Sequence, residues 1–134
     1  MLLLDASVWI AAKDREDRYF EAARTLAVDP VRQVAALDLT LYEVANGLGV
    51  RRRRDDEAVD LCRLVAGRCG EDLLAVDGKL IESALAIASE YGLTSYDAAY
   101  VAAARRHDWT LVSTDIADLV SKGLAVTPDA ADYP

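Results

Sequence analysis

The sequence has few of the residues that bind transition metals or form disulfides. Its 134 residues include one histidine, His107, and two cysteines, Cys62 and Cys69. One histidine excludes a three-histidine metal site and the two-histidine acid–base chemistry of some ribonucleases. The cysteines stand seven positions apart in a helical pattern. They would lie about 10 Å apart along one helix, beyond the roughly 7 Å that a disulfide spans. We predict two core thiols in a reducing compartment.

Long apolar runs are also missing. No run approaches the roughly 18 apolar residues that cross a bilayer. The opening Met1-Leu2-Leu3-Leu4 leads straight into Asp5, with neither a basic segment nor a small-residue cleavage site. We therefore interpret it as a buried strand and not as a signal peptide. These absences predict a cytoplasmic protein, and its 53% hydrophobic residues predict one globular domain over residues 1–134.

Basic residues are the minority, since 15 stand against 23 acidic ones for a formal net charge of −8. Nucleic-acid binders usually show the opposite balance, because phosphate contacts dominate their affinity. The acidity disfavours a passive RNA or DNA binder. It is compatible with a nuclease, because bound divalent cations would offset the acidic charge where phosphate approaches. The one dense basic run is Arg51, Arg52, Arg53 and Arg54, which either contacts the RNA backbone or forms a solvated helix end.

Short apolar runs alternate with helical patterns along the whole chain, which is typical of an α/β fold with a largely parallel sheet. We predict strands at 2–5, 34–37, 73–76, 110–113 and 124–126. Helices are predicted at 16–28, 79–91 and 116–122, and from 94 or 95 to 107. Ser7, Thr40 and Asp55 are expected to begin three more. The pattern shows no repeat and no linker.

Acidic residues follow two of the predicted strands. Asp5 ends the first, and Asp115 comes just after the fourth. In open α/β sheets, ligands bind beyond the carboxyl ends of the strands. Each aspartate taken alone is equally well explained as a turn or capping residue.

Two further acids belong to predicted helices. Glu43 has Asn46 one turn further on, where it would orient Glu43 or contact substrate, unless both simply face solvent. Asp97 begins a helix whose residues 98–104 carry no charge, so this helix is expected to be buried on most sides. Asp97 is either a partner of the helix dipole, in a capping box with Thr94, or a functional acid.

Converging carboxylates repel one another and raise one another's pKa values. A hard divalent cation removes this repulsion, and magnesium prefers oxygen ligands. Such an ion can activate a water for attack on a phosphodiester. If Asp5, Glu43, Asp97 and Asp115 converge, the sequence predicts a magnesium or manganese site.

Four segments resemble the PIN-domain family: Leu3-Leu4-Asp5-Ala6-Ser7-Val8, Glu43-Val44-Ala45-Asn46, Leu93-Thr94-Ser95-Tyr96-Asp97-Ala98-Ala99-Tyr100 and Leu111-Val112-Ser113-Thr114-Asp115. Their order resembles VapC-type toxins in particular. The resemblance implies a PIN-like α/β/α sandwich whose short, mostly parallel strands are flanked by helices. It implies that Asp5, Glu43, Asp97 and Asp115 bind the metal and catalyse. Ser7 and Thr114 would support the metal waters or the phosphate through their hydroxyls, and the role of Asp118, three residues after Asp115, stays open.

The resemblance also implies an activity and partners. VapC-type proteins are metal-dependent endoribonucleases that cut structured RNA, often tRNA or rRNA, and they usually form homodimers silenced by a cognate antitoxin. An acidic pocket would suit a basic antitoxin segment. A phospho-accepting receiver domain would need an acidic pair where Ala6 follows Asp5, and an aspartate-nucleophile phosphatase would need Asp in place of Ser7. The remaining alternative is a non-catalytic, metal-binding interaction or regulatory module of the same fold. Tyr96 stays open as a base-stacking residue.

Overall fold

A parallel sheet of short strands organises the computed structural model, which describes residues 1–131. Its strands are β1 (Leu2–Leu4), β2 (Val34–Leu37), β3 (Leu73–Leu74) and β4 (Thr110–Val112). They lie in the order β3-β2-β1-β4, all parallel. Leu3 pairs with Ala35 on one side and with Leu111 on the other. The carboxyl ends of β1 and β4 therefore meet at one edge, where Asp5 and Asp115 follow them.

Helices cover both faces of the sheet. They are α1 (Ala6–Ala11), α2 (Phe20–Val28), α3 (Leu39–Val44), α4 (Asp55–Cys69), α5 (Gly78–Tyr91), α6 (Ser95–His107) and α7 (Pro128–Ala131). Helices α1, α2 and α4 pack with Leu4 in one apolar core, and α5 and α6 pack with Leu3 in another. Successive residues of a strand point to opposite faces, which is why β1 is apolar throughout. The predicted α/β/α sandwich is confirmed.

Three helix starts differ from the prediction. Ser7 lies within α1, whose N-cap is Asp5, and Thr40 is buried within α3. Helix α2 begins at Phe20 and not at Glu16. The reason is that side chains of Asp14 and Asp17 accept backbone N–H bonds two residues on, at 3.0 and 2.8 Å, which favours turns over helix.

Other boundaries agree with the sequence pattern. Asp77 caps α5 by accepting the Leu80 N–H at 2.7 Å, and Gly92 ends this helix with φ +68°. Such a left-handed conformation suits glycine. Helix α4 begins at Asp55 and α6 runs to His107, as predicted. In α6, residues 98–104 are all buried.

The predicted last strand, 124–126, is reduced to a bridge between Val112 and Val126. The predicted third strand is shortened to Leu73–Leu74, and the predicted helix 116–122 is a π-helical turn, Ile116–Val120. A second π-helical segment, Ala45–Arg51, continues α3. This segment packs tightly against α4 at Gly49, because a Cβ added there would lie only 3.3 Å from Ala58 Cβ.

The two cysteines both lie on α4, and both are free thiols. Burial raises the pKa of Cys69 to about 11 and also raises that of Cys62. Cys69 is a core thiol, as predicted, whereas Cys62 is half-buried and packs against the core. Within residues 1–131, no helix combines the length and apolarity needed to cross a bilayer.

Candidate active site

Asp5 is the most deeply buried acid of the sheet edge, with 5% of its surface exposed. Its carboxylate accepts the hydroxyl of Ser7 and the backbone N–H of Val8, the latter at 3.3 Å. Burial raises the pKa of Asp5 from 3.8 to about 6, hydrogen bonds from Ser113, Ser7 and Val8 oppose this, and the charge of Glu43 adds to it. Asp5 is thus fixed in place while its ionised form lacks a cationic partner.

Ser7 joins the two strand ends. Its Oγ accepts a hydrogen bond from the backbone N–H of Thr114 at 2.9 Å, and its hydroxyl donates one to the Asp5 carboxylate. Ser113 Oγ in turn accepts the N–H of Asp115 at 3.0 Å. These contacts hold the loop after β4 against the start of α1. Ser7 therefore holds Asp5 in place, and Thr114 contributes its backbone N–H to this contact. The expected roles of the Ser7 and Thr114 hydroxyls toward metal waters or phosphate stay predictions.

Glu43 reaches the same edge from α3 and is held by a tyrosine. Tyr100 Oη donates to Glu43 Oε1 at 2.7 Å and lies 2.7 Å from Thr40 Oγ1. Because the phenol has one proton, Thr40 must donate to Tyr100. Both Tyr100 and Thr40 are buried. The chain Thr40–Tyr100–Glu43 therefore fixes one carboxylate oxygen and leaves the other for a ligand.

Asp97, Asp115 and Asp118 form a second acidic group. One carboxylate oxygen from each of the three lies within 4.8 Å of those from the other two. Burial raises the pKa of Asp97, as do the charges of Asp115 and Asp118, while Lys122 lowers it. Asp97 also has a capping contact, since its N–H donates to Thr94 Oγ1 at 3.1 Å. Capping and clustering therefore coexist at Asp97.

Electrostatic repulsion connects the two groups. The charge of Glu43 raises the pKa of Asp5, and the charge of Asp97 adds to burial in raising the pKa of Glu43. The charge of Asp115 then acts on Asp97. The charges of the four predicted acids thereby act on one another pairwise along one edge. Asp118 joins them through Asp115, whose Oδ1 accepts its N–H at 3.0 Å. Among residues 1–131, the group at ligand spacing contains Asp97 and Asp115 together with Asp118, and not Asp5 or Glu43.

This set of donors fits a hard divalent cation. All five groups are carboxylates, which are the ligands that magnesium and manganese favour over nitrogen or sulfur. Their mutual repulsion and partial burial make the metal-free arrangement unfavourable. Lys122 pairs with the group at its exposed side, where its Nζ lies 3.9 Å from Asp118 Oδ1. Bound metal would relieve the repulsion among the inner acids.

The four predicted RNA-binding arginines make different contacts. Arg51 lines a pocket with Glu43 and Asn46. Arg52 pairs with Asp14 at 3.3 Å, and Arg54 pairs with Glu57 at 3.6 Å. Arg53 has φ +55° in the turn before α4. Within residues 1–131, Arg51 is thus the member of the run that faces the candidate site.

We expect Tyr100→Phe to lower both the stability and the metal affinity of the protein. Losing the phenol leaves the buried Thr40 hydroxyl without an acceptor and frees Glu43, so the free energy of unfolding should fall by about 1–3 kcal/mol. Urea denaturation and manganese titration measure the two effects. The matched control is Tyr91→Phe, which removes a contact with Arg105 at 3.2 Å on the surface. Equal losses in the two variants would contradict the positioning of Glu43 by Tyr100.

Comparison with known proteins places this geometry in a family. The chain matches the family model of the PIN domain over residues 2–119. The chain belongs to the PIN domain family. Ribonuclease VapC3 of Pyrobaculum aerophilum is 34% identical over 118 residues, which span 85% of this chain and 88% of that protein. The resemblance to VapC-type members of the family is therefore confirmed.

Solved structures agree on the fold. The crystal structure of PAE2754 from Pyrobaculum aerophilum is 26% identical, with a TM-score of 0.72 over 98% of this chain and 85% of that one. A toxin–antitoxin complex from Klebsiella pneumoniae is 21% identical, with a TM-score of 0.69 over 96% of this chain and 98% of that one. The PIN fold is thus shared along nearly the entire chain.

Sequence reasoning missed three residues that hold the site together: Tyr100, Thr40 and Ser113. Tyr100 and Thr40 stand sixty positions apart, and their hydrogen bond joins α6 to α3. A detectable signal was Tyr100 itself, one turn after Asp97 in an otherwise alanine-rich buried helix. A buried tyrosine needs a partner for its hydroxyl, and the acids of this edge were the available acceptors.

Proposed function

We propose that this PIN domain is a magnesium- or manganese-dependent endoribonuclease and the toxin of a toxin–antitoxin pair. Its substrate is structured RNA, with tRNA or rRNA as the expected class. The observation that carries this proposal is the close approach of Asp97, Asp115 and Asp118, with the charges of Glu43 and Asp97 raising the pKa values of Asp5 and Glu43, respectively, along the same sheet edge. Burial of mutually repelling carboxylates is unfavourable for folding alone, which favours a function that needs them.

Each residue has a role in this proposal. Asp5, Glu43, Asp97 and Asp115 would hold the metal, with Asp118 beside them. When bound, a divalent ion activates water and stabilises negative charge on a phosphodiester. Ser7 keeps Asp5 and the loop after β4 in register, and Tyr100 keeps Glu43 oriented. Asn46 and Arg51 lie on the side from which RNA would approach.

Relatives support the remaining parts of the proposal. The similar protein of Pyrobaculum aerophilum is named a ribonuclease, and the structure from Klebsiella pneumoniae is a toxin–antitoxin complex. An antitoxin with a basic segment would complement the acidic edge and the net charge of −8. A homodimer acting in the cytoplasm is proposed from the likeness to VapC-type toxins.

Cleavage of a folded total-RNA pool tests the nuclease. Purified protein is incubated with magnesium, manganese or EDTA, beside the variants Asp97→Asn and Asp60→Asn. We expect metal-dependent cutting that falls by about 100-fold or more in Asp97→Asn, the loss typical when a catalytic electrostatic group is removed. Asp60 is an exposed aspartate of α4 paired with Arg63, so Asp60→Asn should cut as the unmodified protein does.

The other outcomes are informative in different ways. Cutting that persists in EDTA or in Asp97→Asn would refute the carboxylate mechanism. Metal binding by calorimetry without cutting of any RNA in the pool would refute the nuclease and favour a metal-binding interaction module. Purification of the chain with its antitoxin, followed by release, keeps the test independent of toxicity during expression.

A further inference from the structure

A pocket of about 430 Å³ opens beside Glu43, at the rim of the acidic edge. We call it the tyrosine pocket, after the two aromatic rings in its wall. It is lined by Leu39, Tyr42, Glu43, Asn46, Arg51 and Tyr96. Its volume lies in the range of about 300–1,000 Å³ that is usual for sites of small organic groups. Because Glu43 belongs both to this pocket and to the candidate active site, an occupant would lie against the acids.

Helix geometry explains why these side chains meet. Leu39 and Tyr42 are spaced by three residues, which places them on one face of α3, and Asn46 joins them from the π-helical continuation. Tyr96 stands across from them in the first turn of α6, directly before Asp97. Tyr42 and Tyr96 are 81% and 59% exposed, respectively. Two tyrosines this exposed contribute little to the core, so the fold does not account for them.

The polar groups of the tyrosine pocket are as distinctive as its rings. Asn46 presents an amide with both donors and an acceptor, and Arg51 presents a guanidinium. Neither side chain has a hydrogen bond or ion pair with any other residue of the described range 1–131, in contrast to Arg52 and Arg54. A cation that stays unpaired on a chain of net charge −8 is available for an anionic ligand. The pocket therefore offers flat apolar faces, a hydrogen-bonding edge and one positive charge.

We propose that the tyrosine pocket binds one unpaired nucleobase of the RNA, next to the phosphate that is cut, with Tyr96 as the main stacking surface. This inference rests on the proposed ribonuclease function and adds to it a rule for the substrate. Single-stranded bases stack on exposed aromatic rings and present their edges to amides. Arg51 would contact the neighbouring phosphate. A base inside a duplex has both faces covered, so cleavage is directed to loops and bulges of structured RNA.

The position of the pocket favours RNA over a second copy of the chain. Glu43 lines the pocket and belongs to the candidate active site, so RNA held at the acidic edge would bring a base close to the two rings. Asn46 and Arg51 are both exposed, and neither has a hydrogen bond or ion pair within residues 1–131. A base with its phosphate satisfies both of them.

Binding measurements test the proposal without relying on cleavage. All proteins carry Asp115→Asn so that the RNA is not cut. Fluorescence anisotropy then measures the binding of a short single-stranded RNA and of the same oligomer with abasic residues. Loss of one base stack should lower the affinity of Tyr96→Ala for the intact RNA by about 5- to 100-fold. The abasic oligomer should bind both proteins equally weakly. Tyr96→Phe keeps the ring and should keep the affinity, and Val31→Ala, 84% exposed before β2 at the opposite edge, is the control.

Charge is tested separately at Arg51. Arg51→Ala should weaken the binding of intact and abasic RNA alike. It should also reduce the salt dependence of binding by the equivalent of about one phosphate contact. Arg24→Ala, an exposed arginine of α2, should leave both unchanged. If Tyr96→Ala and the protein that keeps Tyr96 bind intact RNA with equal affinity, the base-binding assignment is overturned. If light scattering then shows a smaller assembly for Tyr96→Ala, the surface is a contact between copies instead.

These outcomes separate the inference from the proposed function. Absence of cutting by the unmodified protein would refute the nuclease, yet base-dependent binding in the same protein would still support the tyrosine pocket. Conversely, cutting that needs Asp97 but is equally fast in Tyr96→Ala at low RNA concentration would keep the nuclease and overturn the base-binding pocket.

Discussion

Asp5→Asn is expected to stabilise the metal-free protein at neutral pH while abolishing its RNA cleavage. Burial is the largest cause that raises the pKa of Asp5 from 3.8 to about 6. A difference of that size corresponds to roughly 3 kcal/mol at about 1.4 kcal/mol per pKa unit, as an upper value. Asparagine keeps an oxygen that can accept the Val8 N–H and removes the charge. The same change removes a proposed metal ligand, so activity and stability should move in opposite directions.

The effect should depend on pH in a defined direction. Because the pKa of Asp5 is higher in the folded state, the folded protein holds a proton that the unfolded chain releases between pH 3.8 and about 6. This group's stabilising contribution is complete below that window and is lost as the pH rises through it. The advantage of Asp5→Asn should therefore be small at the acidic end and reach its full size above pH 6.

Urea denaturation in EDTA across this pH range measures the difference between the two proteins. Asp60→Asn serves as the control, because Asp60 is exposed and its replacement should give no pH-dependent difference. Adding manganese should reverse the order, since the unmodified protein gains binding energy that the variant lacks. A variant that is less stable than the unmodified protein in EDTA at neutral pH would show that hydrogen bonds from Ser7 and Val8 outweigh the burial of the charge.

The sheet and its acidic edge could be predicted because local pattern determines them. Fully apolar strands such as Leu2–Leu4 belong to buried parallel sheets, and acids that follow such strands lie at the carboxyl edge. Asp5 and Asp115 were placed in this way. The uncharged stretch after Asp97 predicted a buried helix, and residues 98–104 are all buried. These inferences needed no contact between distant parts of the chain.

Contacts between distant residues could not be predicted in the same way. The hydrogen bonds from Tyr100 to Glu43 and Thr40 depend on how α6 packs beside α3, which no local pattern specifies. The predicted start of α2 was wrong for another reason. Asp14 and Asp17 hydrogen-bond the backbone two residues on, so turns win over an amphipathic pattern that would otherwise extend α2.

The arginine run shows how one pattern separates into different roles. Arg51 ends a π-helical segment and faces the candidate site, whereas Arg52 and Arg54 turn to Asp14 and Glu57. A π-helical segment changes the angle between successive residues, so helical spacing alone misplaces them. The sequence therefore predicted a basic cluster, and the structure presents one arginine to the site.

Arg68 connects parts of the fold that the acidic site depends on, although it lies far from the acids in sequence. From α4, its guanidinium donates to the carbonyl oxygens of Ala27 at 2.9 Å, Asp29 at 2.8 Å and Arg32 at 2.9 Å. These carbonyls come from the end of α2 and the turn that leads into β2. Helix ends leave carbonyls without partners, and a cation there also favours the helix dipole. Arg68 thereby holds α2 and the start of β2 against α4.

Arg68→Met should lower the free energy of unfolding by about 3 kcal/mol or more, because several partly buried carbonyls lose a charged donor together. The matched control is Arg63→Met on the same helix, where a side chain 79% exposed forms one ion pair with Asp60. An exposed pair contributes about 0–1 kcal/mol, so this variant should unfold almost as the unmodified protein does. Urea denaturation in EDTA compares the two without interference from metal binding. Similar losses in both variants would mean that water replaces the guanidinium at the end of α2, and that packing alone holds this helix to α4.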